Sequence, residues 1–158
     1  MKVKDSGQGI QIYDFNSVES FKIARKLEED GINFYSKLLG SIKDSRVREV
    51  LLYLLGEEKE HLKILEEMLR HEDPEALDER EGEIVDSLDT GVFAFPKDEE
   101  VASDFDKTLQ LGIALEKRSL AFYLEVVKYT ESEEGEGALK KIIAEEKRHW
   151  EELKNLTQ

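Results

Sequence analysis

The chain has no cysteine among its 158 residues, which excludes disulfides, iron–sulfur clusters, thiolate zinc sites and the four-thiolate iron centre of rubredoxins. Any metal must be held by histidine and carboxylate. Basic charge is also scarce: 23 Lys and Arg stand against 37 Asp and Glu, a formal net charge of −14. That balance opposes binding to nucleic acid or to an anionic membrane surface, and leaves cations or neutral molecules as the expected partners. No stretch approaches the roughly 20 apolar residues needed to span a bilayer. The first residues, Met1-Lys2-Val3-Lys4-Asp5-Ser6-Gly7, lack the apolar run of a secretion signal, so a cytoplasmic location is expected. There are only two prolines, Pro74 and Pro96, and both fall in one segment.

What is present is an apolar fraction of 39%, enough for one hydrophobic core and a single domain over residues 1–158. From Ser17 to about Gly40, apolar or small residues recur three and four apart as Val18, Phe21, Ala24, Leu27, Gly31, Phe34, Tyr35 and Leu38, which is the helical period. Asn16 and Glu19 are placed to form a capping box at its start. A second run, residues 45–71, carries Val47, Val50, Leu51, Leu54, Leu55, Leu62, Leu65 and Leu69 and stops before Asp73-Pro74. Periodicity then fails over about 72–102 and returns over about 103–130 and 133–155. The pattern predicts an all-α bundle of four helices in two antiparallel hairpins. The long crossover between the hairpins lets the third helix begin at either end of the bundle.

The two halves repeat at a constant offset of 88 residues: Leu27-Glu28 on Leu115-Glu116, Phe34-Tyr35 on Phe122-Tyr123, and Glu57-Glu58-Lys59 with His61 on Glu145-Glu146-Lys147 with His149. Within each half the two glutamates, Glu28 and Glu58 or Glu116 and Glu146, are 30 positions apart, which sets all four at a comparable depth. Neighbours on the same helix face decide which acids point inward. Glu58 sits among Leu51, Leu54, Leu55, Leu62 and Leu65, and Glu146 among Leu139, Ile142, Ile143, Trp150 and Leu153. Glu28 and Glu116 keep similar company, with Arg25 the one charged exception, whereas Glu29 and Glu145 lie among charged neighbours and are expected at the surface. His71, without a counterpart in the other half, is expected at the surface of a helix end.

Four carboxylates converging in an apolar interior need a compensating charge. Two divalent cations supply it, with the neutral imidazoles of His61 and His149 completing the ligand set. Glu58 and His61, like Glu146 and His149, are spaced i, i+3, the Glu-x-x-His arrangement of di-iron and di-manganese carboxylate bundles. The metal-ligand candidates, through which any catalysis would run, are therefore Glu28, Glu58, His61, Glu116, Glu146 and His149. One such spacing arises by chance on charged helices; two, each preceded at the same distance by an inward glutamate, do not.

On Glu28-x5-Phe34-Tyr35 and Glu58-x-x-His61, both repeated, the chain resembles the ferritin-like diiron-carboxylate superfamily, and within it the rubrerythrin branch, over roughly residues 17–155. The resemblance implies a ferritin-like bundle with two iron ions, alternatively manganese, bridged by Glu58 and Glu146. Glu28 and Glu116 would be terminal ligands, with one histidine on each ion. It implies oxidoreductase activity of ferroxidase or peroxidase type toward O2 or H2O2, and assembly into a homo-oligomer, a dimer being the expected form. Tyr35 and Tyr123, one heptad beyond Glu28 and Glu116, are expected either as core aromatics, the favoured reading, or as hydrogen-bonding partners of the ligands. Two departures stand out. Ser119 occupies the position where rubrerythrins often carry a further glutamate, and the rubredoxin iron centre is impossible without cysteine, so an external electron-donor protein is expected. Met68, the only internal methionine, lies near a helix end and does not suit a mid-bundle haem. The competing readings are an iron-binding or storage protein and a non-catalytic helical scaffold.

Overall fold

The structure, a computed structural model, describes residues 2–5, 10–13, 17–77 and 105–157. Four long helices carry it: α1 (Ser17–Ser41), α2 (Ser45–Glu72), α3 (Phe105–Val126) and α4 (Glu133–Leu156). A 3-10 turn, Pro74–Leu77, follows α2, and another, Val127–Tyr129, continues α3. The rest of the expected crossover, from residue 78 to 104, lies outside the described residues, as does Asn16 of the expected capping box.

The sequence dictates the helix ends locally. Asp44 caps α2 by accepting from the Val47 N–H at 3.0 Å. The Arg48 guanidinium reaches back to donate to the Leu39 and Ile42 carbonyls at 2.5 and 2.9 Å, satisfying acceptors that the end of α1 leaves open. These bonds fix a three-residue turn, so α1 and α2 form an antiparallel hairpin. Helix α2 ends where the Asp73 N–H closes on the Leu69 carbonyl at 2.8 Å and Pro74 forbids continuation. In the second hairpin, Ser132 caps α4 by accepting from the Gly135 N–H at 3.0 Å. Glu133, Glu134 and Glu136 then place negative charge at the positive end of the helix dipole.

Before α1, two short strands, β1 (Lys2–Asp5) and β2 (Ile10–Tyr13), pair antiparallel with Lys2 opposite Tyr13 and Asp5 opposite Ile10. The sequence reading assigned this segment no structure, because alternation over four residues is too short to separate from chance. The second strand adjoins α3.

Inside the bundle the apolar residues form two clusters. One contains Phe21, Ala24, Leu65, Leu69, Phe122, Tyr123, Val126, Leu139 and Ile142; the other contains Phe34, Tyr35, Leu38, Leu51, Leu54, Leu109 and Leu153. The 88-residue offset exchanges them: Leu51 and Leu54 go to Leu139 and Ile142, Phe34 and Tyr35 to Phe122 and Tyr123, and Leu65 to Leu153. The repeat is thus an internal two-fold relation that swaps the ends of the bundle. On every helix the inward glutamate lies between residues of one cluster and residues of the other, so the polar layer is sandwiched at mid-height.

Leu51 and Leu139 are both fully buried at equivalent positions. Truncating either to Ala is expected to cost about 2–5 kcal/mol, with similar values for the two, in chemical unfolding of the metal-free protein. A cost below about 1 kcal/mol for one of them, against a full cost for the other, would mean that the two ends are not equivalent cores.

Candidate metal centre

Each helix delivers its inward acid to the mid-height layer: Glu28 from α1, Glu58 from α2, Glu116 from α3 and Glu146 from α4, none more than 4% exposed. Helices α2 and α4 add His61 and His149, both fully buried one turn after their glutamates. All six candidates named from the sequence therefore meet in one place.

Their ligand atoms fall into two overlapping groups. Glu28, Glu58, His61 and Glu146 place one ligand atom each within 4.8 Å of one another, and so do Glu58, Glu116, Glu146 and His149. Glu58 and Glu146 are common to both. Glu58 turns Oε2 toward His61 Nδ1 at 3.7 Å and Oε1 toward His149 Nδ1 at 3.2 Å, so the two oxygens of one carboxylate serve two centres. Glu28 lies 3.5 Å from His61 Nδ1 and Glu116 lies 3.6 Å from His149 Nδ1, each on its own side. The imidazoles stack, with centroids 5.4 Å apart and planes 21° from parallel.

Whether these residues suit a metal pair can be judged from unspent valence. His61 Nδ1 and Glu146 Oε1 are 2.9 Å apart, yet neither makes a hydrogen bond; Glu28 Oε2 and His149 Nδ1 are likewise buried without one. Buried polar atoms in proteins are almost always paired. Four such atoms from three helices, all in one layer, fit a cation placed between them. Carboxylate and imidazole are also the donors that iron, manganese and zinc accept.

Other atoms of the same residues are well held. Tyr35 on α1 donates to Glu116 Oε1 on α3, and Tyr123 on α3 donates to Glu28 Oε1 on α1, two short hydrogen bonds related by the internal two-fold. Both readings of these tyrosines hold: the rings are buried in the apolar clusters, and each hydroxyl orients a carboxylate across the α1–α3 seam. Glu145, expected at the surface, is a correction. Its Oε2 lies 2.9 Å from His61 Nε2 with the side chain only 15% exposed. An ionised carboxylate only accepts, so Nε2–H donates and Nδ1 is left to face the layer. The two-fold mate, Glu57, is 4.0 Å from His149 Nε2, beyond hydrogen-bond reach, and that nitrogen has no partner. The signal for both acids was present in the repeat, since Glu57-Glu58 and Glu145-Glu146 are duplicated as pairs. Face analysis missed Glu145 because it reaches the histidine of the opposite hairpin. His71 is exposed at the end of α2, away from the layer.

Without metal, protons take the place of the cations. Burial, and then the Glu58 charge, raise Glu28 to about 8. Burial and the charges of Glu58, Glu116 and Glu28 hold Glu146 well above the usual carboxylate range. Glu58 moves the other way: burial and the Glu116 charge push it up, but contacts with Glu28, His149 and His61 outweigh them and the net shift is downward. Burial works against a charged His61, yet Glu146, Glu28 and Glu58 hold its proton far above the ordinary histidine range. His149 rises to about 9 for the same reasons, with burial opposing and Glu116 and Glu58 prevailing.

The signs lead to a test. Glu28 and His149 have ordinary values of 4.5 and 6.5 and are raised to about 8 and about 9 on folding. Between those limits the folded metal-free chain binds more protons than the unfolded chain, so its stability falls as pH rises. A cation needs the deprotonated ligands, so its affinity rises with pH. The gain in melting temperature on adding Mn²⁺ or Zn²⁺ is therefore expected to widen steadily from about pH 5 to about pH 9. A gain that stays flat across that range would contradict the arrangement. A second test separates the two outer acids: Glu145→Ala should weaken binding of one ion by about 10- to 100-fold, and Glu57→Ala by much less, in calorimetric titration.

The family model for rubrerythrin matches residues 19–157 of the chain. Two solved structures share its fold. One is a Thermotoga maritima protein described as a ferritin-like diiron-carboxylate protein, with a TM-score of 0.73 and 22% identity over 92% of this chain and 97% of that one. The other is a hypothetical protein from Pyrococcus furiosus, with a TM-score of 0.68 and 22% identity over 90% of this chain and 88% of that one. No curated protein matches the chain.

Proposed function

We propose, from the premise that this chain belongs to the rubrerythrin family, that it is a di-metal oxidoreductase whose ion pair is iron and whose oxidant is H2O2 or O2. The observation that carries this reading is the pair of overlapping ligand groups sharing Glu58 and Glu146. A set built to hold one ion would not present two imidazoles on opposite sides of two shared carboxylates. In this reading Glu28, Glu58, His61 and Glu146 would hold one ion and Glu58, Glu116, Glu146 and His149 the other, with Glu58 and Glu146 common to both. When bound, a ferrous pair supplies two electrons to an oxidant and, as a Lewis acid, offsets the charge that develops on it.

The chain's own residues supply position and proton control. The tyrosine hydroxyls each hold one oxygen of Glu116 or Glu28 and leave the other for the layer. Burial and the nearby carboxylates raise both phenols well above 10, so they remain hydrogen-bond donors throughout the working pH range. The two apolar clusters exclude bulk water at either end of the site. In this reading the reductant is an external electron-donor protein. The scaffold reading would need the four unpaired buried atoms to be left over, which is costly at about 1–3 kcal/mol for each.

The deciding experiment pairs metal analysis with single-turnover oxidation. Protein loaded anaerobically with Fe²⁺ is expected to retain about two ions per chain, as the two ligand groups require, and to develop ferric absorbance on mixing with H2O2 or O2. The Glu58→Ala/Glu146→Ala variant, still helical, should lose both metal and oxidation. A well-folded wild type that retains no Fe²⁺ or Mn²⁺ would defeat the proposal.

A further inference from the structure

The two apolar clusters cover the metal layer along the bundle axis. The α2–α4 seam is covered by the stacked imidazoles, with Glu145 and Glu57 behind them and the Arg148 guanidinium lying 3.6 and 3.7 Å from those two acids. Across the bundle from it is the seam between α1 and α3. It holds a small cavity of about 20 Å³ whose outer wall is Leu27, Asp30, Gly31, Leu115, Arg118 and Ser119, all partly exposed. Its inner wall is Tyr35 with the Glu58 and Glu116 carboxylates. The cavity thus runs from the surface to one carboxylate shared by both ligand groups and to one belonging to a single group.

Its bore is set by the smallest residues of the seam. Gly31 is half-buried within α1, where glycine costs a helix about 1 kcal/mol relative to alanine. A Cβ there would come within 3.4 Å of Glu58 Cδ and 3.6 Å of Glu58 Oε2, so any larger side chain would occupy the space above that carboxylate. The 88-residue offset carries Gly31 onto Ser119, Asp30 onto Arg118 and Leu27 onto Leu115, which centres the opening on the internal two-fold. The Tyr35–Glu116 and Tyr123–Glu28 bonds bracket the opening and pin α1 to α3 on either side of it.

We propose that the Gly31–Ser119 gap is the aperture through which exogenous ligands of the metal pair arrive, and that Ser119 limits them to molecules of two or three heavy atoms, such as dioxygen, hydrogen peroxide or azide. This rests on the di-metal reading above. A cavity of about 20 Å³ accommodates roughly one water-sized molecule, so a small ligand passes with slight adjustment and a branched or aromatic one does not. The control is steric and lies with residues that bind no metal.

The test is the rate of azide binding to the diferric protein, followed by stopped-flow visible absorbance, beside iron content and helicity of each variant. Ser119→Leu should retain its iron and slow azide association at least ten-fold, Ser119→Val should give an intermediate value, and Ser119→Gly should equal or exceed wild type. Iron-replete Ser119→Leu and Ser119→Val that bind azide within two-fold of the wild-type rate would overturn the aperture. So would a rate that responds to Arg148→Ala, which opens the opposite seam, and not to Ser119. The two failures are distinct: wild type that holds no iron removes the di-metal reading and the aperture with it, whereas full iron content with rates insensitive to Ser119 removes the aperture alone.

Discussion

Four carboxylates buried in one layer of an apolar bundle are the constraint on which the rest of this structure depends. An isolated buried carboxylate either loses its charge or is strongly destabilising. Here Glu28 and Glu146 are pushed toward the protonated form while both histidines are pushed toward the charged one. The metal-free layer is therefore a stand-in assembled from protons, with buried ligand atoms that make no hydrogen bond. Neutralising the layer with cations uses those atoms and releases the protons together. Metal occupancy and folding stability are consequently linked through the same six side chains.

The internal two-fold makes that layer possible at modest cost in sequence. One hairpin provides two inward glutamates, a histidine and a tyrosine; repeating it with its ends exchanged provides a second set facing the first. Each tyrosine then falls on the first inward carboxylate of the opposite hairpin, and the outer acid Glu145 falls on the opposite hairpin's histidine. Neither hairpin alone completes any of these contacts. The apolar clusters obey the same exchange, so packing and ligand geometry are fixed by one operation.

That duplication also explains what was legible beforehand. The bundle and the inward direction of all six buried residues could be read because period and repeat are properties of single helices and of the offset between them. The sequence reading put the helices at about 17–40, 45–71, 103–130 and 133–155; they run over Ser17–Ser41, Ser45–Glu72, Phe105–Val126 and Glu133–Leu156. What could not be read were contacts between hairpins. Glu145 looks like a surface charge among Lys141, Arg148 and Glu152 on its own helix, and only the approach of α2 brings His61 to it. Tyr35 and Tyr123 read first as core residues because their rings are core; the direction of a hydroxyl is set by the neighbouring helix. The β1–β2 ribbon was missed for a different reason, being too short for a period to register.

The departures from symmetry are as informative as the symmetry. His61 donates to Glu145 at 2.9 Å, whereas His149 has Glu57 only at 4.0 Å and its Nε2 stays unpaired. A carboxylate behind an imidazole fixes its tautomer and raises its basicity, so the two histidines are unequal ligands although the acids around them are matched. The seam on the other side is unequal as well, with Asp30 and Gly31 facing Arg118 and Ser119. An anion or polar molecule arriving there meets opposite charges at its two edges and two metal positions of different donor strength. A perfect two-fold would give such a molecule no preferred orientation. The substitutions that break the repeat at the cavity, Asp30 for Arg118 and Gly31 for Ser119, supply one, while the six buried Glu and His and the acids behind the histidines remain matched.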